Sequence, residues 1–320
     1  MKLIVAMLLS LAYVAPAIAQ QYPAKSLRIV IAFPPAGTTD QVVRPLAQRL
    51  SEIFKQSVVV DNRGGAGGNI GGDHVARSAP DGYTILATNG ASMATNVSLY
   101  EKMSFSPAKD LEPVIALTTT PNMLAVNSTL PVKTVKELIS VARAKPGALN
   151  YGSSGHGGTN HMAMELFKIM AGVDLLHVPF QGGGPLQTAF LGGTVNVVFN
   201  TPSSLIPFAK EGRIRILGVA SDTRISAFAD IPTIAEQGLP GFESSAYFAL
   251  FVPRGTPRAA INAINAEVNR ILKDEDMLNR FKAVGAYPMG GTPEDLGRRL
   301  NNDITTFAKV VHDAKIPLQN

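Results

Sequence analysis

Glycine, hydroxyl and amide residues crowd together at five places in this sequence: Pro35–Asp40, Asn89–Ser92, Gly152–His161, Gln181–Pro185 and Asn200–Ser204. A glycine lets the main chain come close to a ligand, and amides at the start of a helix point at anions with a favourable dipole. The chemistry such loops support is the holding of a small anion by N–H and O–H groups. No Lys or Arg falls inside any of the five, and Arg44 sits a full turn into the helix that follows the first. A carboxylate would therefore be held by main-chain amides and by the hydroxyls of Thr38, Thr39, Ser153, Ser154 and Thr159. Each hydrogen bond to a charged group contributes roughly 1.5–3 kcal/mol, so several suffice without an ion pair. Asp40 repels an anion if it faces the cleft; otherwise it caps amides or accepts from an amine or hydroxyl of the ligand. Glycines that merely form tight turns between strand and helix explain any one loop. Five loops with hydroxyls beside the glycines favour a binding cleft.

Signals for catalysis are weak by comparison. Gly152-Ser153-Ser154-Gly155-His156 resembles a nucleophile elbow, but His156 occupies the place of the final glycine in Gly-x-Ser-x-Gly. A secreted serine hydrolase would have to use Ser154 with His161, and this is the alternative to a binding protein. No phosphate-binding Gly-x-x-x-x-Gly-Lys-Ser/Thr occurs, and Arg63–Gly72 lacks Gly-x-Gly-x-x-Gly. The five histidines, His74, His156, His161, His177 and His312, show no paired metal-ligand spacing. His161, near a helix start, reads equally as a packing residue and as a ligand contact. The expectation is a non-enzyme with no cofactor and no metal.

These loops need a scaffold that brings them together. Leu27–Phe33 is a continuous apolar run, as expected of a strand buried on both faces, and it ends in Pro34-Pro35-Ala36-Gly37. Val43, Leu46, Ala47, Leu50 and Phe54 then recur at helical spacing, with Thr38 and Gln41 placed as a capping box. Strands are predicted at Val58–Val60, Tyr83–Thr88, Leu176–Phe180, Val195–Phe199 and Ile214–Ala220. Helices follow the loops at 152–159 and 181–184, and two more close the chain after Thr256-Pro257 and Thr292-Pro293. This alternation predicts an α/β fold with mostly parallel sheets. Pro113–Asn127 and Glu243–Pro253 are apolar stretches with no glycine-rich cradle behind them, and read as crossings between two lobes. That division gives 22–120 plus 244–290 as one lobe, 121–243 as the other, and 291–320 as a terminal helix on either.

Residues 1–19 read as a signal peptide: Lys2, an apolar run Leu3–Val14, and Ala17-Ile18-Ala19 before a cut at Gln20. The run is short for a membrane span and is broken by Pro16. The mature chain is thus expected to be soluble and exported, without a lipid anchor. With 46% apolar and 17% charged residues the chain is no disordered tail, and the absence of cysteine removes disulfides, thiol catalysis and Cys-type zinc sites. The net charge is +5, but the basic residues are scattered and no basic run exceeds two, which argues against nucleic acid.

In several stretches the sequence resembles the substrate-binding receptors of the tripartite tricarboxylate transporter (TctC/Bug) family. They are Tyr22–Arg28, Phe33-Pro34-Pro35-Ala36-Gly37-Thr38-Thr39-Asp40, Val60–Gly71, Pro80–Thr84, Gly152-Ser153-Ser154-Gly155, His177-Val178-Pro179-Phe180-Gln181-Gly182 and Pro232–Gly238. The resemblance implies a two-lobed, hinged periplasmic receptor of the type II-like binding-protein fold. Such a receptor closes on a small mono- or dicarboxylate, aromatic bodies included, and delivers it to membrane permease subunits, itself a monomer. Sensing for a membrane signalling protein would use the same cleft. Carried over residue by residue, the resemblance assigns ligand binding to Pro35, Ala36, Gly37, Thr38, Thr39 and Asp40, and to Ser153, Ser154, Gly155, Gly158, Thr159 and His161. Asn89, Gly90, Ala91, Ser92, Gln181, Gly182, Gly183 and Thr201 complete the cleft, with Phe33 a candidate for an apolar slot beside Phe180 and Tyr247. The chain departs from the family pattern at Ala36, where a glycine is usual, and at Tyr247-Phe248, which replaces Trp-Tyr-Gly.

Overall fold

The computed structural model describes residues 22–319, apart from Ala36, Gln181, Val284 and the side chain of Ser226; the signal-peptide reading lies outside the described residues. The first stretch runs β1 (Leu27–Ile31), α1 (Thr38–Phe54), β2 (Val58–Asn62), α2 (Asn69–Ala76), β3 (Thr84–Asn89), α3 (Gly90–Leu99), the single turn α4 (Pro107–Asp110) and β4 (Leu111–Pro121). The middle stretch runs β5 (Met123–Asn127), α5 (Val135–Ala144), β6 (Asn150–Ser153), α6 (Thr159–Ala171), β7 (Leu176–Pro179), α7 (Gly183–Leu191), β8 (Val197–Asn200), α8 (Pro202–Lys210) and β9 (Ile214–Val219). The chain ends with β10 (Ser245–Pro253), α9 (Arg258–Ile271), α10 (Glu275–Ala283), β11 (Tyr287–Gly290) and α11 (Pro293–Asp313).

Two sheets result, one in each lobe. The first has strand order β11-β4-β10-β3-β1-β2 and the second β7-β6-β8-β5-β9. Both are mixed, which corrects the expectation of mostly parallel pairing. In the first sheet β1 pairs in parallel with β2 and β3, but β10 is inserted antiparallel between β3 and β4. In the second, β6 is parallel to β7 and β8, while β5 is antiparallel to both β8 and β9. The strands that enter from the other lobe, β10 and β5, and the edge strand β11 supply the reversed direction, and nothing in their local composition distinguishes them from parallel ones.

The apolar runs are continuous because both faces of each sheet are covered. Along β10, Ala246, Phe248, Leu250 and Val252 pack with α1, α9 and α10 through Leu46, Ile264 and Phe281. The alternate residues Tyr247, Ala249 and Phe251 pack on the other face with Val75, Ala94, Leu296 and Leu300 of α2, α3 and α11. In the second sheet Leu124 and Val126 meet Leu138 and Phe167 of α5 and α6, while Met123 and Ala125 meet Leu186, Phe190 and Leu205 of α7 and α8.

The chain passes between sheets at Asn122 and returns at Ser244. The two crossings are bonded to each other: Asn122 N–H donates to Ser244 O at 2.9 Å, and Asn122 Nδ2 to Ser244 Oγ at 3.0 Å. Ala220 N–H donates to Asn122 O at 2.8 Å, and Ser244 N–H to Ala220 O at 3.0 Å. Helix α11 packs mainly on α3 and β4 and also reaches α6 of the second lobe. Its Val310 and Val311 share a buried cluster with Leu99 of α3 and Met162 of α6, so this seam joins the lobes away from the crossings.

Two local expectations fail. Helix α1 begins with Thr38 as its first turn, not as its cap: Gly37 is the N-cap, no side chain caps it, and the Thr38/Gln41 capping box is absent. Helix α3 has no sequence signature, because Asn89-Gly90 punctuates the sequence like a loop. Asn89 is instead its N-cap, its side chain accepting Ser92 N–H at 3.2 Å. The capping box at Thr292 and Asp295 does form and starts α11.

Candidate functional site

The loops at the carboxyl ends of β1, β6 and β7, the coil before α2 and the face of α3 enclose a cavity of about 360 Å³. One wall comes from the first lobe, with Phe33, Gly67, Ser92, Asn96 and Tyr100. The opposite wall is Ser154-Gly155-His156-Gly157-Gly158 together with Gly182 and Gly183. Neither Lys nor Arg is among these lining residues. Gly158 and Gly182 are the N-caps of α6 and α7, and neither helix carries a side-chain cap on that residue. The first-turn N–H groups of two helices therefore start at this wall, with their dipoles favouring an anion.

Of the residues singled out from the sequence, Phe33, Ser92, Ser154, Gly155, Gly158, Gly182 and Gly183 line this cavity. Ala36 and Gln181 lie outside the described residues. Pro35 and Gly37 are exposed just before α1, Thr38 is half-buried, and Thr39 is buried. Asp40 is buried as well, and its carboxylate accepts from Arg44 Nε at 2.8 Å and from Asn62 Nδ2 at 3.0 Å. The same Asn62 amide donates to Phe33 O at 3.1 Å, so Asp40 anchors the Phe33 turn to the end of β2. Gly90 is a packing position: a Cβ there would overlap the ring of the fully buried Tyr247. Ala91 is buried beside it, and Thr159 forms the first turn of α6. Thr201 bonds the hydroxyls of Ser203 and Ser204 at 3.2 and 3.0 Å.

Ser153 and His161 lie behind the wall rather than on it. Ser153 has no exposed surface; its hydroxyl donates to Gly155 O at 3.1 Å and sits 2.7 Å from His177 Nε2. His161 accepts Gly157 N–H on Nδ1 at 3.1 Å and stacks on His177 with ring centroids 4.2 Å apart. Tyr151 also stacks on His177 at 4.7 Å, and its hydroxyl bonds the Glu165 carboxylate, which Lys168 also holds at 3.0 Å. Burial, followed by the charges of His177, His156 and Lys168, pushes His161 down to about 3. Burial followed by His156 and Lys168 takes His177 down to about 4. Both imidazoles are neutral at pH 7. Among the described residues no hydrogen bond joins Ser154 to His161; Ser154 Oγ donates instead to Asn160 Oδ1 at 3.2 Å.

Sequence reasoning did not single out Gly67, Asn96 or Tyr100, and it covered His156 and Gly157 only as part of the Gly152–His161 loop. Ser92, Asn96 and Tyr100 stand four residues apart and share one side of α3 and its C-terminus, a spacing that becomes a signal once Asn89 is read as a helix cap. Gly67 sits in the glycine-dense Gly64–Gly72 stretch, tied to α3 by Asn96 Nδ2 donating to its carbonyl at 3.1 Å.

The chain as a whole has counterparts among known proteins. The family model described as "Tripartite tricarboxylate transporter family receptor" (TctC) matches residues 42–314. The chain belongs to that family. BugT of Bordetella pertussis is 34% identical over 306 residues, 95% of this chain and 94% of BugT. Among solved structures, Rpa4515 of R. palustris with adipate has a TM-score of 0.83 at 38% identity, covering 93% of this chain and all of that one. MatC of Rhodopseudomonas palustris with bound malate has a TM-score of 0.79 at 30% identity, covering 91% of this chain and all of that one. Among the described residues no helix is long and apolar enough to cross a membrane.

Proposed function

We propose that this TctC receptor is exported to the periplasm by its N-terminal signal peptide, binds a small mono- or dicarboxylate in the interlobe cleft, and delivers it to the membrane permease subunits of its transporter. It acts as a monomer and catalyses no reaction. The observation that carries the reading is the cavity: about 360 Å³, near the lower end of the ~300–1,000 Å³ usual for ligand sites, lined by both lobes and free of Lys and Arg. A carboxylate there is held by helix-start amides at Gly158 and Gly183 and by Ser92 and Ser154, with the aromatic rims of Phe33 and Tyr100 against its carbon body. Adipate and malate in the related structures support a dicarboxylate of four to six carbons.

The test is thermal unfolding and calorimetry of the mature chain against mono-, di- and tricarboxylates and their amides. A ligand at about a hundred times its Kd adds roughly 2.7 kcal/mol of stability. A rise in Tm with certain carboxylates, absent with their amides and weakened by Ser92→Ala or Ser154→Ala, is the expected result. No shift across the panel, or equal shifts in both variants, removes the anion cleft. Ester turnover that disappears in Ser154→Ala would replace the receptor with a hydrolase.

A further inference from the structure

We propose that His156, His161 and His177 form a binding site for a divalent transition-metal ion of the Zn²⁺, Ni²⁺ or Cu²⁺ class. The three residues come from three elements: His156 from the loop after β6, His161 from the first turn of α6 and His177 from β7. Each offers a ring nitrogen, and the three atoms lie within 4.8 Å of one another. Nitrogen ligands about 2.0–2.1 Å from a tetrahedral zinc stand roughly 3.3 Å apart, so the donor atoms have to close by about 1.5 Å at most, and the stacked rings of His161 and His177 have to turn out of parallel so that both in-plane lone pairs meet the ion. His156 is exposed and flanked by Gly155 (φ 132°) and Gly157 (φ 74°), a backbone with few side-chain constraints on that adjustment.

The donor set selects the class of ion. Three imidazoles suit zinc, nickel and copper, whereas magnesium and calcium need oxygen. Glu165, the carboxylate bonded to Tyr151 beneath His177, is engaged by Tyr151 and Lys168. Ser153 Oγ, 2.7 Å from His177 Nε2, holds that ring as an outer-shell partner holds a metal-ligating histidine. His161 can ligate only by giving up the N–H it accepts from Gly157 at 3.1 Å. Metal binding is thereby coupled to the Gly155–Gly158 wall of the cavity, which His156 also lines. The histidines offer this donor set whichever ligand the cleft takes.

The test uses the tag-free chain, stripped with a chelator and titrated with ZnCl2, NiCl2 and CuCl2, with MgCl2 and CaCl2 as controls. Uptake of one transition-metal ion per chain, a raised Tm, no response to Mg²⁺ or Ca²⁺, and at least tenfold weaker binding in His156→Ala support the site. His156 is exposed, so this variant keeps the fold; His177→Asn, checked by circular dichroism, is the second. Nitrogen superhyperfine structure from three imidazoles in the Cu²⁺ spectrum is the spectroscopic expectation. No stoichiometric uptake, or uptake unchanged in His156→Ala and lost in His74→Ala or His312→Ala, overturns it.

Discussion

Replacing Gly157 by alanine tests whether the wall of the cavity reports on how the lobes meet. Gly157 lies in the second lobe, but a Cβ there would overlap Leu99 Cδ2 at the end of α3 in the first, with Thr95 Cγ2 at 3.8 Å. The overlap is a shortfall of roughly 1.5 Å against an ordinary carbon–carbon contact of ~3.5–4.0 Å. Leu99 has no room to yield, being fully buried among Met162, Val310, Val311 and Ile316. The substitution therefore has two effects of different kind. Gly157 has φ 74°, and a left-handed alanine costs about 1–2 kcal/mol wherever the lobes stand. The overlap costs about 1–3 kcal/mol, but only while the loop lies against α3. The first lowers stability alone; the second lowers the affinity of any ligand that needs the lobes together, by about 5- to 150-fold. Calorimetry with the best carboxylate of the panel reads the second effect and urea unfolding the first. Leu99→Ala makes room for the added methyl, so Gly157→Ala should cost little affinity in that background, and the cycle isolates the coupling. An affinity for Gly157→Ala within twofold of wild type refutes the view that this contact belongs to the binding-competent arrangement.

Two further outcomes follow from side chains buried near the cleft. His161 has its folded pKa near 3, against about 6.5 when unfolded, so the unfolded chain binds more protons below pH 6.5 and stability falls with pH from there toward 3. The groups that hold it down are its burial and the facing His177, His156 and Lys168; the slope is about 1.4 kcal/mol per pH unit, roughly 2 kcal/mol lost by pH 5. Urea unfolding of metal-free protein between pH 7 and 5 measures this, and a slope unchanged in His161→Gln contradicts it. Gly90→Ala forces a methyl into the ring of Tyr247, which has no exposed surface, and should cost about 1–3 kcal/mol of stability. A Tm equal to wild type would mean that α3 shifts freely over β10.

Much of this fold is legible in the chain, for reasons that particular residues make plain. Leu27–Ile31 and Ser245–Pro253 announce strands because both of their faces are covered, which makes alternation invisible and apolarity continuous. Strand direction is a different matter. β10 reads like any buried strand, and only the return from the second sheet sets it antiparallel between β3 and β4. Helix α3 escaped notice because Gly90 to Asn96 are all buried, leaving no polar face to give it a period. The cleft loops were visible as glycine and hydroxyl clusters, yet Ser153 turned inward while Asn96 and Tyr100, from an unforeseen helix, took places on the wall. The histidine cluster had no spacing to betray it, since positions 156, 161 and 177 meet only when β6, α6 and β7 are assembled.

The placement of Gly157 between two buried clusters gives the cleft wall more than one input. Its N–H is held by His161, which stacks on His177, while its Cα stands over Leu99 in the seam that α11 builds between α3 and α6. The lobes are otherwise tied at Asn122 and Ser244, where main-chain bonds that need no side chain can serve as an axis. A rotation about that axis, if the lobes close on a ligand, would move the Gly155–Gly158 loop relative to Ser92 and Asn96, because these lie on opposite walls of the cavity. Packed clusters have discrete arrangements rather than a continuum. A ligand that draws the walls together must therefore be compatible with both the seam at Leu99 and the stack at His177. Coupling between them is measurable: an ion at the histidines that pulls on His161 should change carboxylate affinity, and the carboxylate should change the ion's affinity by the same factor.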